Sequence, residues 1–443
     1  MRTRVAPSLR SISTPGACIF WRRPCLRIQC RRHCFNNHSG SLTKTELRSV
    51  TTSTRTVTEP RASDNLPCSR YNRRAFTSLP KEDEMARLGL VVISVLIIVA
   101  VSFLQFPARV TGAAQSQRIP AGTLHNGKAF RFNKVKDGIY HAVGTGTLSV
   151  VGNSSVIVND NDVTIVDDHV SPAAAWVLLD EVKGITNKPV RTVINTHFHF
   201  DHAHGNQIFD TTVDVIGHEF TRAMLLGGST EMPLYKNYLA GLPRQVEDLR
   251  KRIAEESDAT KKGGLQTQLQ AAENNLASQA ELKPTPPNIT LRTQMTLYRG
   301  DREIQIRFLG RAHTAGDVVV YLPKEKVVIT GDMLTTGLSN MSDAFVNEWS
   351  TTLDELKKLD FDTVLPGHGD AFTDKAKIDY FQAYLRDVWS QVSRLKQQGV
   401  PAEEAAKRAD LTKHNEHFPT IQGPGVPLIA VTRIYEVIDG TGR

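Results

Sequence analysis

Thr196-His197-Phe198-His199-Phe200-Asp201-His202-Ala203-His204-Gly205-Asn206 packs four histidines and one aspartate into eight residues. It follows directly on a β-prone run, Arg191-Thr192-Val193-Ile194-Asn195-Thr196. Alternate residues of an extended segment share a face, so His197 and His199 can point at one metal ion. The chain must then turn, and Asp201 and His202 can address a second ion beside the first. A surface loop that happens to be rich in histidine is the bland alternative. Clustering this dense favours ligation, and the rest of the chain has to supply the structural context.

Three later positions do so. His313 sits in Gly310-Arg311-Ala312-His313-Thr314-Ala315-Gly316-Asp317, between two strand candidates. Asp332 ends the run Ile329-Thr330-Gly331-Asp332, and His368 follows Leu365-Pro366-Gly367. Each lies at a strand-to-loop junction with glycine beside it, where scaffolds carry site residues and the backbone can approach closely. The ligand types are imidazole and carboxylate, which suit Zn²⁺ and are compatible with Fe or Mn. Seven such groups leave two divalent ions with net positive charge, able to bring a shared water to a pKa of about 7. Of the other histidines, His204 reads as a supporting or structural residue. His169 either lines the site or is an ordinary loop residue, and His218 reads as packing.

The motifs His-x-His-x-Asp-His, a later lone His, Gly-Asp and Gly-His together resemble the metallo-β-lactamase-fold hydrolases, over roughly residues 130–370. The resemblance implies an α+β fold, an αββα sandwich with the metals at one edge between two sheets. It implies His197, His199 and His313 on the first metal, Asp201, His202 and His368 on the second, Asp332 bridging, and Asp167 as a structural aspartate beneath. It also implies hydrolysis of an ester, lactone, thioester or amide bond by a bridging hydroxide, with Asp201 orienting the nucleophile. An aspartate at position 332 resembles the hydroxyacylglutathione hydrolases and acyl-homoserine lactonases more than true β-lactamases, where the resemblance leads one to expect Cys or Ser. A mononuclear iron oxygenase of the persulfide dioxygenase type and a metal-binding protein without turnover are the rival readings.

Around these motifs the body, about 120–443, reads as β first. Ser155–Val158 and Val163–Val166 flank the turn Asn159-Asp160-Asn161-Asp162 as a hairpin, and Ala173–Val182 reads as a helix. Residues 243–283 differ in texture. Val246, Leu249 and Ile253, then Leu265, Leu269, Ala272 and Leu276, recur at helical spacing on either side of Lys261-Lys262-Gly263-Gly264. The expectation is a helical hairpin inserted in the fold, broken at that Lys-Lys-Gly-Gly, serving as packing, lid or dimer contact. Strands return at Gln294–Tyr298, Glu303–Phe308, Asp317–Leu322, Val327–Thr330 and Thr363–Leu365. Helices close the chain, Asp374–Gln398 carrying the clearest apolar stripe.

The 443 residues carry a formal charge of +8, unevenly spread. Residues 1–84 hold 16 Lys+Arg against 6 Asp+Glu, and the remainder 38 against 40. The body is therefore nearly neutral, and the net charge gives no argument for nucleic-acid binding. All five cysteines lie in residues 1–84, so the body can form neither a disulfide nor a thiolate metal site. The leader reads as disordered by composition, either a mis-assigned upstream extension or an organelle-targeting segment. Residues 85–114 read as a secretory signal or membrane anchor: a short basic start at Met85, an apolar run at 88–106, then small residues. The expected partners are a small-molecule substrate, no nucleic acid, and the membrane if that run is not cleaved. The expected location of the catalytic domain is outside the cytoplasm.

Overall fold

The computed structural model describes residues 118–442. The leader at 1–84 and the apolar run at 88–106 lie outside the described residues. Among the described residues no helix is long and apolar enough to cross a membrane.

One sheet has seven strands in sequence order: β1 (Phe130–Lys136), β2 (Ile139–Gly144), β3 (Ser154–Val158), β4 (Val163–Val166), β5 (Val190–Ile194), β6 (Asp214–His218) and β7 (Ile289–Leu291). β1 to β4 pair antiparallel, with β3 and β4 joined at the Asn159–Asp162 turn. Asn159 closes that turn, its side-chain amide donating to Asp162 Oδ1 at 2.7 Å. From β4 onward the pairing is parallel, which requires crossovers. The first is α1 (Pro172–Val182), started by Pro172 and by Ser171, whose hydroxyl accepts from Ala174 N. The short α2 (Phe200–Ala203) lies in the next crossover, and α3 (Glu219–Gly227), α4 (Pro233–Glu255) and α5 (Ala259–Gln279) separate β6 from β7. The second sheet holds β8 (Gln294–Arg299), β9 (Arg302–Phe308), β10 (Val318–Leu322), β11 (Val327–Gly331) and β12 (Thr363–Pro366), ordered β12-β11-β10-β9-β8. α6 (Val346–Lys357) crosses from β11 to β12. α7 (Ala376–Gln397), α8 (Ala402–Arg408) and α9 (Leu428–Ile438) follow.

Alternation on the strands builds the layers. Ile157, Val166, Ile194 and Ile216 of the first sheet pack against Ile304, Ile306, Val320 and Ile329 of the second. The opposite face of the first sheet, with Val156, Ile165 and Val193, packs on α1 and on Tyr235 of α4. The opposite face of the second, with Val319, Val328 and Val364, is covered by α6 to α9. The order is helix, sheet, sheet, helix. On α7 the stripe expected from the spacing is Ile378, Phe381, Leu385, Val388, Val392 and Leu395; the first five are buried and Leu395 is half-buried, each buried side chain contributing about 1.5–3 kcal/mol by leaving water.

Two helices do occupy the region of changed texture, but not with the expected break. The break falls at Glu256–Asp258, and Gly263 and Gly264 lie inside α5. The Asp258 side chain accepts from Lys261 N at 2.9 Å and starts the second helix there, so a capping carboxylate overrides the two glycines. α4 begins ten residues earlier than expected, at Pro233, and carries Pro243 in its interior. Of the expected apolar residues, Val246, Leu249, Leu265 and Ala272 form one small core with Ile253 and Leu269 packed against it, and Leu276 is half-buried and not part of it.

Candidate metal centre

β5, β11 and β12 are neighbours in function: each ends in the loop that carries a candidate ligand. β5 runs into His197–His202, β11 into Asp332 and β12 into His368, while His313 lies between β9 and β10. All seven residues come together. Three groups place one ligand atom per residue within 4.8 Å of the others: His197, His199 and His313; His197, His202 and Asp332; Asp201, His202 and His368. Six of the seven are buried and His368 is partly exposed. Asp332 lies between the outer two groups, its Oδ2 being 3.5 Å from His313 Nε2 and 3.3 Å from His368 Nε2.

Hydrogen bonds from outside the site fix how His197, His199 and His202 are turned. Asp167 accepts from Thr196 N at 2.7 Å, from Thr196 Oγ1 at 2.8 Å and from His202 Nδ1 at 2.9 Å. Since the Thr196 hydroxyl donates to that carboxylate, it accepts from His197 Nδ1–H at 3.0 Å. His197 therefore carries its proton on Nδ1 and turns a bare Nε2 into the site, while His202, its Nδ1 held by Asp167, turns its Nε2 there. Both Nε2 atoms are buried without a hydrogen-bond partner, as is Asp332 Oδ1. His199 donates from Nε2 to Asp343 Oδ2 at 3.0 Å, which leaves its Nδ1 bare at 2.9 Å from His313 Nε2. Buried polar atoms normally find partners. Here several lone pairs converge with none, beside two carboxylates, and divalent cations satisfy that donor set.

The electrostatics divide the histidines. Burial and the neighbouring imidazoles hold His197 well below its ordinary pKa, and His313 at about 3, so both are neutral ligands. At His202 and His368 burial works against charge, but the carboxylates outweigh it. Asp201, Asp332 and Asp167 raise His202 well above its ordinary value, and Asp332 and Asp201 raise His368 to about 10. Burial alone would raise Asp201 and Asp332, yet the same imidazoles hold both below the carboxylate range. This half of the site favours positive charge between its carboxylates.

Glycines make the approach possible. A Cβ on Gly367 would collide with the Asp332 carboxylate, and Gly331, at φ +52°, has the Thr196 side chain against its Cα. A pocket of about 270 Å³ opens on the ligands, with Phe200, Leu234 and Leu338 as apolar walls and Thr335, Ser339 and Asn340 as polar ones. Leu234 belongs to α4, and Tyr238 of the same helix stacks on Phe200 with ring centroids 4.4 Å apart.

The other histidines that the sequence singled out, His169, His204 and His218, belong to none of these ligand groups. His169, at φ 75°, is buried with Nε2 2.7 Å from Ser154 Oγ and its ring tilted against Phe130, centroids 4.9 Å apart. His204 is buried edge-on to Tyr235, its ring nitrogens without partners. His218 accepts from Phe220 N and stacks on Phe308. Asp343, which orients His199, carries no motif that sequence reasoning could have read.

A family model described as Metallo-beta-lactamase superfamily matches residues 149–368. A Metallo-beta-lactamase type 2 of Bacillus sp. (strain 170) is 33% identical over 85 residues, 18% of this chain and 33% of the relative. A Linear primary-alkylsulfatase of Pseudomonas sp. (strain ATCC 19151) is 24% identical over 276 residues, 56% of this chain and 48% of the relative. The matches thus span about a third of the length of the first of these relatives and about half of the second. A solved Metallo-beta-lactamase from Pontibacter korlensis is 18% identical, covers 58% of this chain and 99% of that one, and has a TM-score of 0.42.

Proposed function

Residues 149–368 make this chain a member of the metallo-beta-lactamase superfamily, and from that premise we propose that it is a dinuclear, zinc-dependent hydrolase of ester, lactone, thioester or amide bonds. The observation that carries the reading is the pair of ligand groups with Asp332 in reach of both. His197, His199 and His313 would hold one ion and Asp201, His202 and His368 the other, with Asp332 between them. Ions bound there would make water a usable nucleophile near neutral pH and would polarise the scissile bond.

The protein's own groups do the positioning. Asp167 locks Thr196 and His202 in place, and Thr196 fixes the His197 tautomer. Asp201 Oδ2, 3.1 Å from His368 Nε2 and 3.4 Å from His202 Nε2, is placed to orient the attacking group and hold its proton. Phe200, Leu234 and Leu338 exclude water from the reacting bond. The likeness to an alkylsulfatase adds sulfate esters to the substrates worth assaying. We place the catalytic domain outside the cytoplasm, exported or held by residues 88–106, and acting on a small molecule rather than nucleic acid.

Plasma mass spectrometry of the purified full chain should find about two zinc ions per chain. His197→Ala and Asp332→Ala should each lower that content and abolish turnover. Full activity in either variant contradicts the centre as drawn. One iron per chain, with sulfide-dependent oxygen uptake, would instead support the oxygenase reading.

A further inference from the structure

Beside the metal pocket lies a second cavity, of about 440 Å³, that the chemistry above does not use. Leu338, Ser339 and Asn340 line both spaces, so one short loop after Asp332 is their shared wall. The far walls come from Tyr384 of α7, from the loop at 420–425, and from Ile429 and Ala430 of α9. These far walls lie beyond residue 368, past the segment that the superfamily model matches.

We propose that this cavity is an acyl-arm subsite: it receives a neutral, chain-like group of the substrate whose scissile bond lies at the metal pocket. The proposal rests on the hydrolase reading and names the substrate class for it. Charge is the first argument. No charged residue lines the second cavity, and no Lys or Arg lines the metal pocket. A carboxylate or phosphate on the arm would lose its hydration there with no cation to replace it, whereas a neutral chain loses nothing comparable. Composition is the second. Met341, Leu411, Ile421 and Ile429 offer apolar contact, with Thr420 and Gln422 as scattered polar groups. Size is the third, since the volume falls within the roughly 300–1,000 Å³ of small-molecule sites. The dividing wall also carries a fitting polar group. Asn340 Oδ1 accepts from Ser342 N at 2.8 Å, which identifies its other amide atom as the NH₂ donor, available to a carbonyl at the junction.

The test is acyl-chain selectivity in the full chain loaded with zinc. The substrates are 4-nitrophenyl acetate and octanoate, and the enzymes are the parent, Ile429→Trp and Thr420→Trp. Ile429 is half-buried and Thr420 exposed, so at least the second variant adds its ring without disturbing packed core. The parent should prefer octanoate. In each folded variant the octanoate-to-acetate ratio of kcat/KM should fall about tenfold, the effect of withdrawing roughly two methylenes from the cavity. A ratio unmoved in both variants overturns the subsite. Thermal shift with alkan-2-ones of four to nine carbons reads the same subsite without turnover. Stabilisation that grows with chain length in the parent and not in the variants supports it, and absence of any length dependence in the parent overturns it. If no ester is cleaved while that length dependence is present, the hydrolase reading fails and the subsite stands.

Discussion

His197, His199 and His202 each answer to a different neighbour, and the neighbour decides which nitrogen faces inward. For His199 that neighbour is Asp343, itself buried and held by the Ser342 hydroxyl at 2.7 Å. Asp343→Ala should weaken metal binding at the His197–His199–His313 group by about 10–100-fold, measured by chelator competition. Asp343→Asn, which still accepts a hydrogen bond, should recover part of the loss. Equal affinities in parent and Asp343→Ala would leave the contact without a role. His204 makes a different prediction. Burial holds its pKa at about 3, against 6.5 in the unfolded chain. Its folded value is depressed, so the unfolded chain takes up the proton first as pH falls. The stability present above pH 6.5 is lost toward pH 3, at about 1.4 kcal/mol per pH unit. His204→Leu removes that term, so urea unfolding at pH 7 and pH 5 should show the variant gaining on the parent at the lower pH. Parallel losses in the two proteins would contradict it.

At the scale of elements, the strands were legible because β-branched runs and Asn/Asp turns state their limits locally. Thr363–Leu365 and Val327–Thr330 fall within a residue of β12 and β11. Ligand placement followed, since it depends only on where those runs stop. The helical pair was legible in its apolar spacing and not in its boundary. Gly263 and Gly264 suggested a break, but glycine only weakens a helix, by about 1 kcal/mol relative to alanine. Asp258, with its carboxylate on Lys261 N, defines the actual start. Asp258→Ala should cost about 1 kcal/mol and speed amide exchange in the first turn of α5, with exchange in α7 unaltered. Unchanged exchange in that turn would mean the boundary is fixed by packing instead. α3 and β7 went unread because each is short and is stabilised by partners remote in sequence, as Ile216 pairs with Ile289.

Across the whole molecule, contacts distant in sequence tie the C-terminal helices to the ligands, and no local pattern announces them. Arg433 of α9 is buried; its Nε donates to Ala344 O at 3.1 Å, and its guanidinium lies 4.8 Å from the centre of the Phe345 ring. Ala344 and Phe345 directly follow Asp343, the residue that holds His199. Removing the guanidinium leaves a buried carbonyl without its donor, at a cost of about 1–3 kcal/mol, and loosens the segment that presents Asp343. Arg433→Ala should therefore lower the melting temperature and also weaken metal binding at the His199 group, by less than Asp343→Ala does. Arg433→Lys keeps the charge but loses the planar fork and the stacking, so it should restore little. The double variant separates the two effects. If Arg433 acts on the metal through Asp343, adding Arg433→Ala to Asp343→Ala should lower the melting temperature further without further loss of metal affinity. Additive losses of affinity would mean that α9 reaches the centre by another route.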